Sequence, residues 1–496
     1  MPSKGDEIKA KLNGLSPRQR RVLLQSIPAK PRRREAIARY PLTAVVPQSY
    51  SQRRLWYLYK LDPGSSMYNM PQAAMFRGPL DYACLQLAFD DVIARHSVLR
   101  TVFADEKGVP VQKIAPELRH PLELLDLSHE DPLQVQAKGL ALAQEIADRP
   151  FDLVHGPLVM MTLIRLQEQV HLMVINMHHI VSDGWSVTIF VQDFLEFYRA
   201  HTQGRPPQHP QLPIAFSDFV QWQLERLSGD LLQQQLNFWQ TRLAGLQPLA
   251  LPFDRAPTVH TSARSGYEKI ELSPALRNQL VAVAKACECT LFMAILAVFK
   301  IALHRYSGQV DICLGVPVAG RNRIETENLI GFFANTALLR TNLGGEPDFR
   351  ELLRRVRESS LESFAHDETP FEKLVELIGP ADRDVARNPL FQVMFILQNT
   401  ARAVIDIPSV QTQLLDSYNS TVKFDMLVEF YDIERGLFGG IIYRSDLFDT
   451  GTMAQFARAF TEIVTAVIAA PETRIGEIVL ARAESSVLES FSDVLE

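Results

Sequence analysis

Two apolar runs, residues 157–167 and 169–177, stand one residue apart, and a segment with helical spacing, 185–200, follows them closely. Runs of this length read as adjacent strands. The third segment places Val187, Phe190, Val191, Phe194, Leu195 and Tyr198 on one side, as an amphipathic helix would. A hairpin that feeds a helix must pack sheet against helix, so this part of the chain reads as a mixed α/β or α+β layer. The join between them is His178-His179-Ile180-Val181-Ser182-Asp183-Gly184. Two imidazoles, a carboxylate and a glycine therefore sit on a strand-to-helix loop, where a rigid scaffold can hold functional groups. An imidazole there can act as a base near neutral pH. The carboxylate can fold back and orient the loop, and the glycine lets the backbone come close to a substrate.

At 496 residues the chain exceeds one usual domain. Hydrophobic residues at 47% and charged residues at 22% are those of a globular protein. The longest apolar run, 291–303, is interrupted by Lys300 and is too short to span a bilayer; it reads as a buried helix. The N-terminus lacks a charged-then-apolar leader pattern, and Cys84, Cys287, Cys289 and Cys313 have no CxxC spacing. Both point to a cytoplasmic protein with reduced, mostly buried thiols. The net charge of −6 argues against nucleic-acid binding. It is unevenly spread: residues 1–39 carry +8 and the rest −14, so the head reads as a solvated helix and linker, or as a docking segment for an acidic partner.

Periodicity predicts helices over 9–27, 51–61, 80–95, 132–147, 214–227, 231–243, 273–287, 291–306, 349–366 and 450–468. It predicts strands over 98–103, 109–114, 267–272, 310–318, 392–398 and 436–443. Proline-rich 203–213 is a loop, and 246–262, with three prolines, marks a boundary region. The divisions expected are an N-terminal helix and basic linker at 1–39, a first lobe at 40–228, a second at 229–485, and a tail at 486–496.

The sequence around the histidines resembles the signature loop of the condensation domains of nonribosomal peptide synthetases: HHIVSDGWS at 178–186. Six other stretches resemble that family's motifs in order. They are SYSQRRLWYL (49–58, with Ser51 where alanine is usual), RHSVLRTVF (95–103), FSDFVQWQ (216–223, Phe216 for the commoner tyrosine), IGFFANTALLR (330–340, Ala334 for valine), HDETPFEKLVE (366–376) and RDVARNPLFQVMF (383–395). The resemblance implies two chloramphenicol-acetyltransferase-like lobes forming a V with a central tunnel. It also implies a segment of the second lobe, in the 400–440 region, that crosses to the first. The implied chemistry is aminolysis of a thioester. The amine of an aminoacyl group on an acceptor carrier attacks an acyl or peptidyl thioester on a donor carrier, both held on 4'-phosphopantetheine arms. Donor and acceptor carrier domains and an adjacent adenylation domain are the implied partners. No permanently bound cofactor or metal is implied, and acyl-coenzyme A is a possible donor for a starter domain.

On that resemblance His179 is the candidate for handling the proton or positioning the amine, and His178 is assigned mainly a structural part. Asp183 is expected to turn away and pair with an arginine: Arg95 first, with Arg54 and Arg100 as alternatives. Gly184 is either a turn glycine or a backbone N–H donor to the donor carbonyl. Ser182, Trp185 and Asn388 are candidates for substrate contact, Asn388 alternatively a cap before Pro389. Trp185, Trp222 and Phe332 also read as packing groups. A coenzyme A-dependent acyltransferase of the same fold and a catalytically silent recruitment module are the alternatives. Within the family, a starter domain and an L-to-L elongation domain both fit; the start at methionine leans to the first.

Overall fold

The computed structural model describes residues 36–41, 45–256, 264–378, 388, 390–398, 405–415 and 421–480. The helix expected at 9–27, most of the linker and the tail at 486–496 lie outside them. The chain divides into two compact units, Met1–Ala38 and Arg39–Glu496, and the architecture below is that of the second.

Helices and strands are interspersed along the chain. In order they are β1 (Val45–Pro47), α1 (Tyr50–Leu61), β2 (Asn69–Arg77), α2 (Tyr82–Arg95), β3 (Thr101–Glu106), β4 (Val109–Ile114), β5 (Glu123–Asp126) and α3 (Val135–Ala147). Then come β6 (Val159–Gln167), β7 (Val170–His178), α4 (Gly184–Thr202), α5 (Phe216–Arg226) and α6 (Gly229–Leu243). The later residues form β8 (Ser265–Leu272), α7 (Pro274–Ala286), α8 (Leu291–Ser307), β9 (Asp311–Val318), β10 (Asn335–Asn342), α9 (Phe349–Ala365) and α10 (Phe371–Ile378). They end with β11 (Val393–Gln398), β12 (Gln411–Leu415), β13 (Met426–Ile433), β14 (Gly436–Arg444) and α11 (Thr450–Ala469). Local chemistry sets many of the ends. Ser49 caps α1 in a capping box with Gln52, Ser273 caps α7 ahead of Pro274, and Thr290 opens α8, which closes on Gly308 at φ 68°.

Three sheets carry the fold: β1-β4-β3, β12-β2-β7-β6-β5 and β10-β9-β11-β13-β14-β8. The first two are built from residues before 229 with one exception, and the third wholly from residues after it. On that ground 40–228 and 229–485 stand as the two proposed lobes. The exception is β12, which leaves the second half and pairs antiparallel with β2, from Gln411 opposite Arg77 to Leu415 opposite Ala73. This is the crossing expected in the 400–440 region. The hairpin β6–β7 is present as read. β7 has strands on both sides and is buried from His171 to His178, which is why its sequence is a run rather than an alternation.

Two readings change on folding. Residues 98–103 are not one strand: Ser97–Arg100 make a 3₁₀ turn and the strand begins at Thr101. Val98 and Leu99 are both buried, and a strand would have pointed one of them outward. Of the four cysteines only Cys313 is fully buried; Cys84, Cys287 and Cys289 are part-exposed, and all four are unpaired.

β10 is an edge strand, and side chains take several of its carbonyls. Ser363 donates to Leu338 O, Lys300 to Leu339 O, Arg242 to Arg340 O and Arg355 to Asn342 O. Lys300, fully buried on α8, also reaches Thr341 Oγ1 at 2.8 Å. Burial lowers its ammonium to about 7. The unfolded chain therefore binds more protons than the folded one between about pH 7 and the ordinary lysine value, so stability rises with pH across that window. Lys300→Met keeps the volume and removes that titration. Chemical denaturation at stepped pH is expected to show wild type gaining on Lys300→Met by roughly 1.4 kcal/mol per unit in the window. Parallel stability curves would contradict it.

Candidate active site

The His loop is a single turn clamped at both ends. His178 ends β7, a 3₁₀ turn follows at His179–Val181, and Asp183 then caps α4. His178 is buried, its Nδ1 accepts the Ile180 N–H at 3.1 Å, and its ring meets Phe151 edge-on. It is a structural member of the loop. Burial, then the neighbouring His179 and Lys423, lower it to about 3.

His179 is part-exposed. Its backbone N–H donates to Tyr68 O at 2.8 Å, and its Nδ1 lies 2.9 Å from Ser182 O. A carbonyl only accepts, so Nδ1 carries the proton and Nε2 of the neutral ring keeps a free lone pair. Burial first, then Lys423, lower the imidazolium to about 3, with Arg54 adding to the effect. The ring is thus neutral across the physiological range. It accepts a hydrogen bond at all working pH values, while its conjugate acid is too acidic to store a proton. The Phe332 ring lies against it, centroids 4.6 Å apart. Phe332 is therefore a wall of the site, not the core packing group expected.

Asp183 turns away from the site, and its cationic partner is Arg321 rather than Arg95, Arg54 or Arg100. Arg321 Nη2 lies 3.1 Å from Asp183 Oδ1, with both side chains almost fully buried. Asp183 also accepts from Ser186 N, Ser186 Oγ and Phe333 N. Arg321 Nη1 donates to Thr326 O and Leu329 O, Nη2 also donates to Ser186 Oγ, and the guanidinium lies over the Phe333 ring. The pair thus ties the start of α4 to the 320–333 loop of the second half.

The three arginines have other work. Arg95 binds Asp193 at 2.9 Å, beside His96, whose Nε2 is 2.7 Å from the same carboxylate oxygen. His96 Nδ1 accepts the Ile330 N–H, a second tie between the halves. Arg100 donates to Ala115 O. Arg54 lies over the Phe371 ring at 5.0 Å.

Gly184 is the first residue of α4, and its N–H finds no acceptor among the described residues. A Cβ built there meets nothing within 4 Å, so the space beside it is open. The helix dipole and the free N–H favour a developing negative oxygen at this point. Ser182 is fully buried and contributes its carbonyl to His179 rather than its hydroxyl to a ligand. Trp185 is exposed and donates to Glu327 O at 3.0 Å. Asn388 caps its own turn: its Oδ1 accepts from Leu390 N and Phe391 N. Trp222 lies between Arg226 and Arg323. Among the described residues no group of three or more His, Cys, Asp or Glu is placed to hold a metal ion.

The family model for the condensation domain matches residues 43–487. The chain belongs to the condensation-domain family. One of the linear gramicidin synthase subunits of Brevibacillus parabrevis is 40% identical over 445 residues, 88% of this chain and 9% of that one. Chondramide synthase of Chondromyces crocatus is 37% identical over 444 residues, 90% of this chain and 11% of that one. The condensation domain therefore spans about a tenth of the length of those relatives. Among solved structures it is similar to the X-domain from teicoplanin biosynthesis, with a TM-score of 0.82 and 27% identity over 90% of this chain and 100% of that one. It also matches the first condensation domain of the calcium-dependent antibiotic synthetase, with a TM-score of 0.74 and 20% identity over 89% of this chain and 100% of that one. The chain has the mixed α/β, chloramphenicol-acetyltransferase-like fold of its structural neighbours. A condensation domain is an acyltransferase that forms amide bonds.

Sequence reading misses Arg321, Ser186 and Phe332 as parts of this condensation domain's site. Ser186 lies within the loop motif, but Arg321 stands 138 residues from its partner and no spacing links the two. Phe332 lies in a recognised motif, but an aromatic residue in an apolar stretch reads as core.

Proposed function

We propose that the chain catalyses thioester aminolysis between two carrier-bound substrates, with His179 as the group that receives the attacking amine. The carrying observation is the neutral, part-exposed His179 ring whose Nδ1 is committed to Ser182 O, leaving Nε2 to face an N–H donor. The amine nitrogen bonds to the thioester carbon while its N–H points at Nε2. The N–H of Gly184 receives the developing oxyanion. The C–S bond then breaks, and the proton lost by nitrogen ends on the departing phosphopantetheine thiol. A thioester is already activated, so holding the two arms together supplies much of the acceleration. Donor and acceptor carrier domains deliver those arms from opposite mouths of a tunnel between the lobes, and an adenylation domain loads the acceptor. The four unpaired thiols suit a reducing, cytoplasmic setting.

The second reading is a recruitment module without turnover; the similar X-domain from teicoplanin biosynthesis is solved in a complex with OxyB. The intact pair of histidines, with Asp183 and Gly184 in place, favours catalysis. One experiment decides between them. Acyl-coenzyme A, acyl-carrier and peptidyl-carrier donors are offered with a loaded acceptor carrier, and products are identified by mass. An amide on the acceptor carrier, dependent on a carrier-bound or coenzyme A-bound donor, is expected. Binding of carriers with no amide from any pair would establish the recruitment reading instead.

A further inference from the structure

Two cations stand beside the His loop with no carboxylate bonded to either among the described residues. Lys423 lies between β12 and β13, on the return of the chain from the five-stranded to the six-stranded sheet. Its Nζ sits 4.9 Å from the centre of the Tyr68 ring, and it makes no hydrogen bond or ion pair among the described residues. Tyr68 is the residue whose carbonyl holds the His179 N–H, and its ring lies 6.4 Å from that of His178. Arg54 approaches from α1, the helix whose Gln52 donates to Ile180 O in the same loop. Its guanidinium rests on Phe371, again with no hydrogen bond or ion pair among the described residues. Both residues are part-exposed, so each charge is open to a group entering beside the loop.

We propose that Lys423, together with Arg54, is an electrostatic positioning residue for the acceptor, keeping the amine that enters beside His179 in its uncharged, nucleophilic form. The inference rests on the thioester-aminolysis reading. An α-ammonium group arriving near these two positive charges is disfavoured relative to the free amine, so its proton is shed before attack. The same charges bear on the imidazole, where Lys423 and Arg54 add to burial in holding the ring neutral. Lys423 itself is lowered to about 8, by burial and then by Arg54, and so still carries its charge at neutral pH. The facing groups leave that charge uncompensated. Tyr68 offers a ring face, and His178 and His179 are neutral. Glu372 on α10 is raised by its own burial against the opposing pull of Arg54, and its Oε2 is unpartnered. Asp425, two residues beyond Lys423, lies by Arg444 instead. This division of labour suits a histidine that accepts a hydrogen bond but is too weak a base to take a proton from an ammonium ion.

The test is the pH dependence of single-turnover amide formation by the full 496-residue chain with loaded donor and acceptor carriers, from about pH 5.5 to about pH 9. Relative to wild type, Lys423→Met is expected to move the acid limb upward by about one pH unit, a loss of roughly tenfold near the foot of the limb and little change on the plateau. Lys423→Arg, which keeps the charge, is expected to keep the wild-type limb. An unmoved limb in Lys423→Met, or an equal loss at every pH, would overturn the proposal, as would a Lys423→Arg profile matching that of the methionine variant. Lys423→Gln gives the same readout should the methionine variant not fold. A wild-type chain forming no amide would instead remove the aminolysis reading itself.

Discussion

His179→Ala is expected to lower single-turnover amide formation by about 10²- to 10⁴-fold while leaving the protein folded. The ring is part-exposed and its main bonded partner is one carbonyl, Ser182 O. Losing that hydrogen bond and the contact with Phe332 costs about 1 kcal/mol, a small part of the stability of a domain this size. What disappears is the Nε2 lone pair, the acceptor toward which the attacking N–H is aimed. Thermal melting and the carrier-dependent rate, measured on the same preparation, check the two halves of the statement. Undiminished product formation would remove His179 from the reaction, and collapse of the melting transition would make it a structural residue.

Asp183→Ala should fail in the opposite way. Asp183 holds four donors and lies against a guanidinium as buried as itself. Deleting the carboxylate strands the Arg321 charge in the interior, uncaps α4, and frees the Phe333 N–H. Stranding a buried charge costs about 3–5 kcal/mol and the lost cap about 1 kcal/mol. That is enough to abolish soluble expression or lower the melting temperature steeply. Replacing both partners with apolar residues, Asp183→Leu with Arg321→Met, is expected to recover more than half of the lost stability, because no charge is then left unpaired. Normal melting of Asp183→Ala with lost activity would place this carboxylate in the chemistry instead.

The two residues differ in how far the chain alone explains them. The hairpin β6–β7, the turn after it and the helix α4 are legible because each depends on residues within a few positions of one another. A run of apolar residues, an aspartate three residues ahead of Ser186, and a helical stripe are local facts. That His178 and His179 point apart is legible in the same sense, since neighbouring residues at a strand end face opposite ways, while the proposed part of His179 in the chemistry rests on the family resemblance. The partner of Asp183 is not. Arg95, Arg54 and Arg100 lie in recognised motifs, but α2 turns Arg95 toward Asp193 and the 3₁₀ turn carries Arg100 to Ala115. β2 escapes pattern reading because Pro71 and Gln72 interrupt it, although its place between β12 and β7 accommodates both.

The chain on its own determined the mixed class, the strand-loop-helix that presents two imidazoles, and the family to which its seven motifs point. Those features follow from periodicity, capping and turn chemistry, which act over a handful of residues. Only the folded molecule decided which cation neutralises Asp183, which ring walls His179, and that Lys423 arrives beside the loop from a crossing segment far along the chain. Such pairings are chosen by packing between distant segments, where burial makes an unmatched charge costly, and no local pattern records that choice.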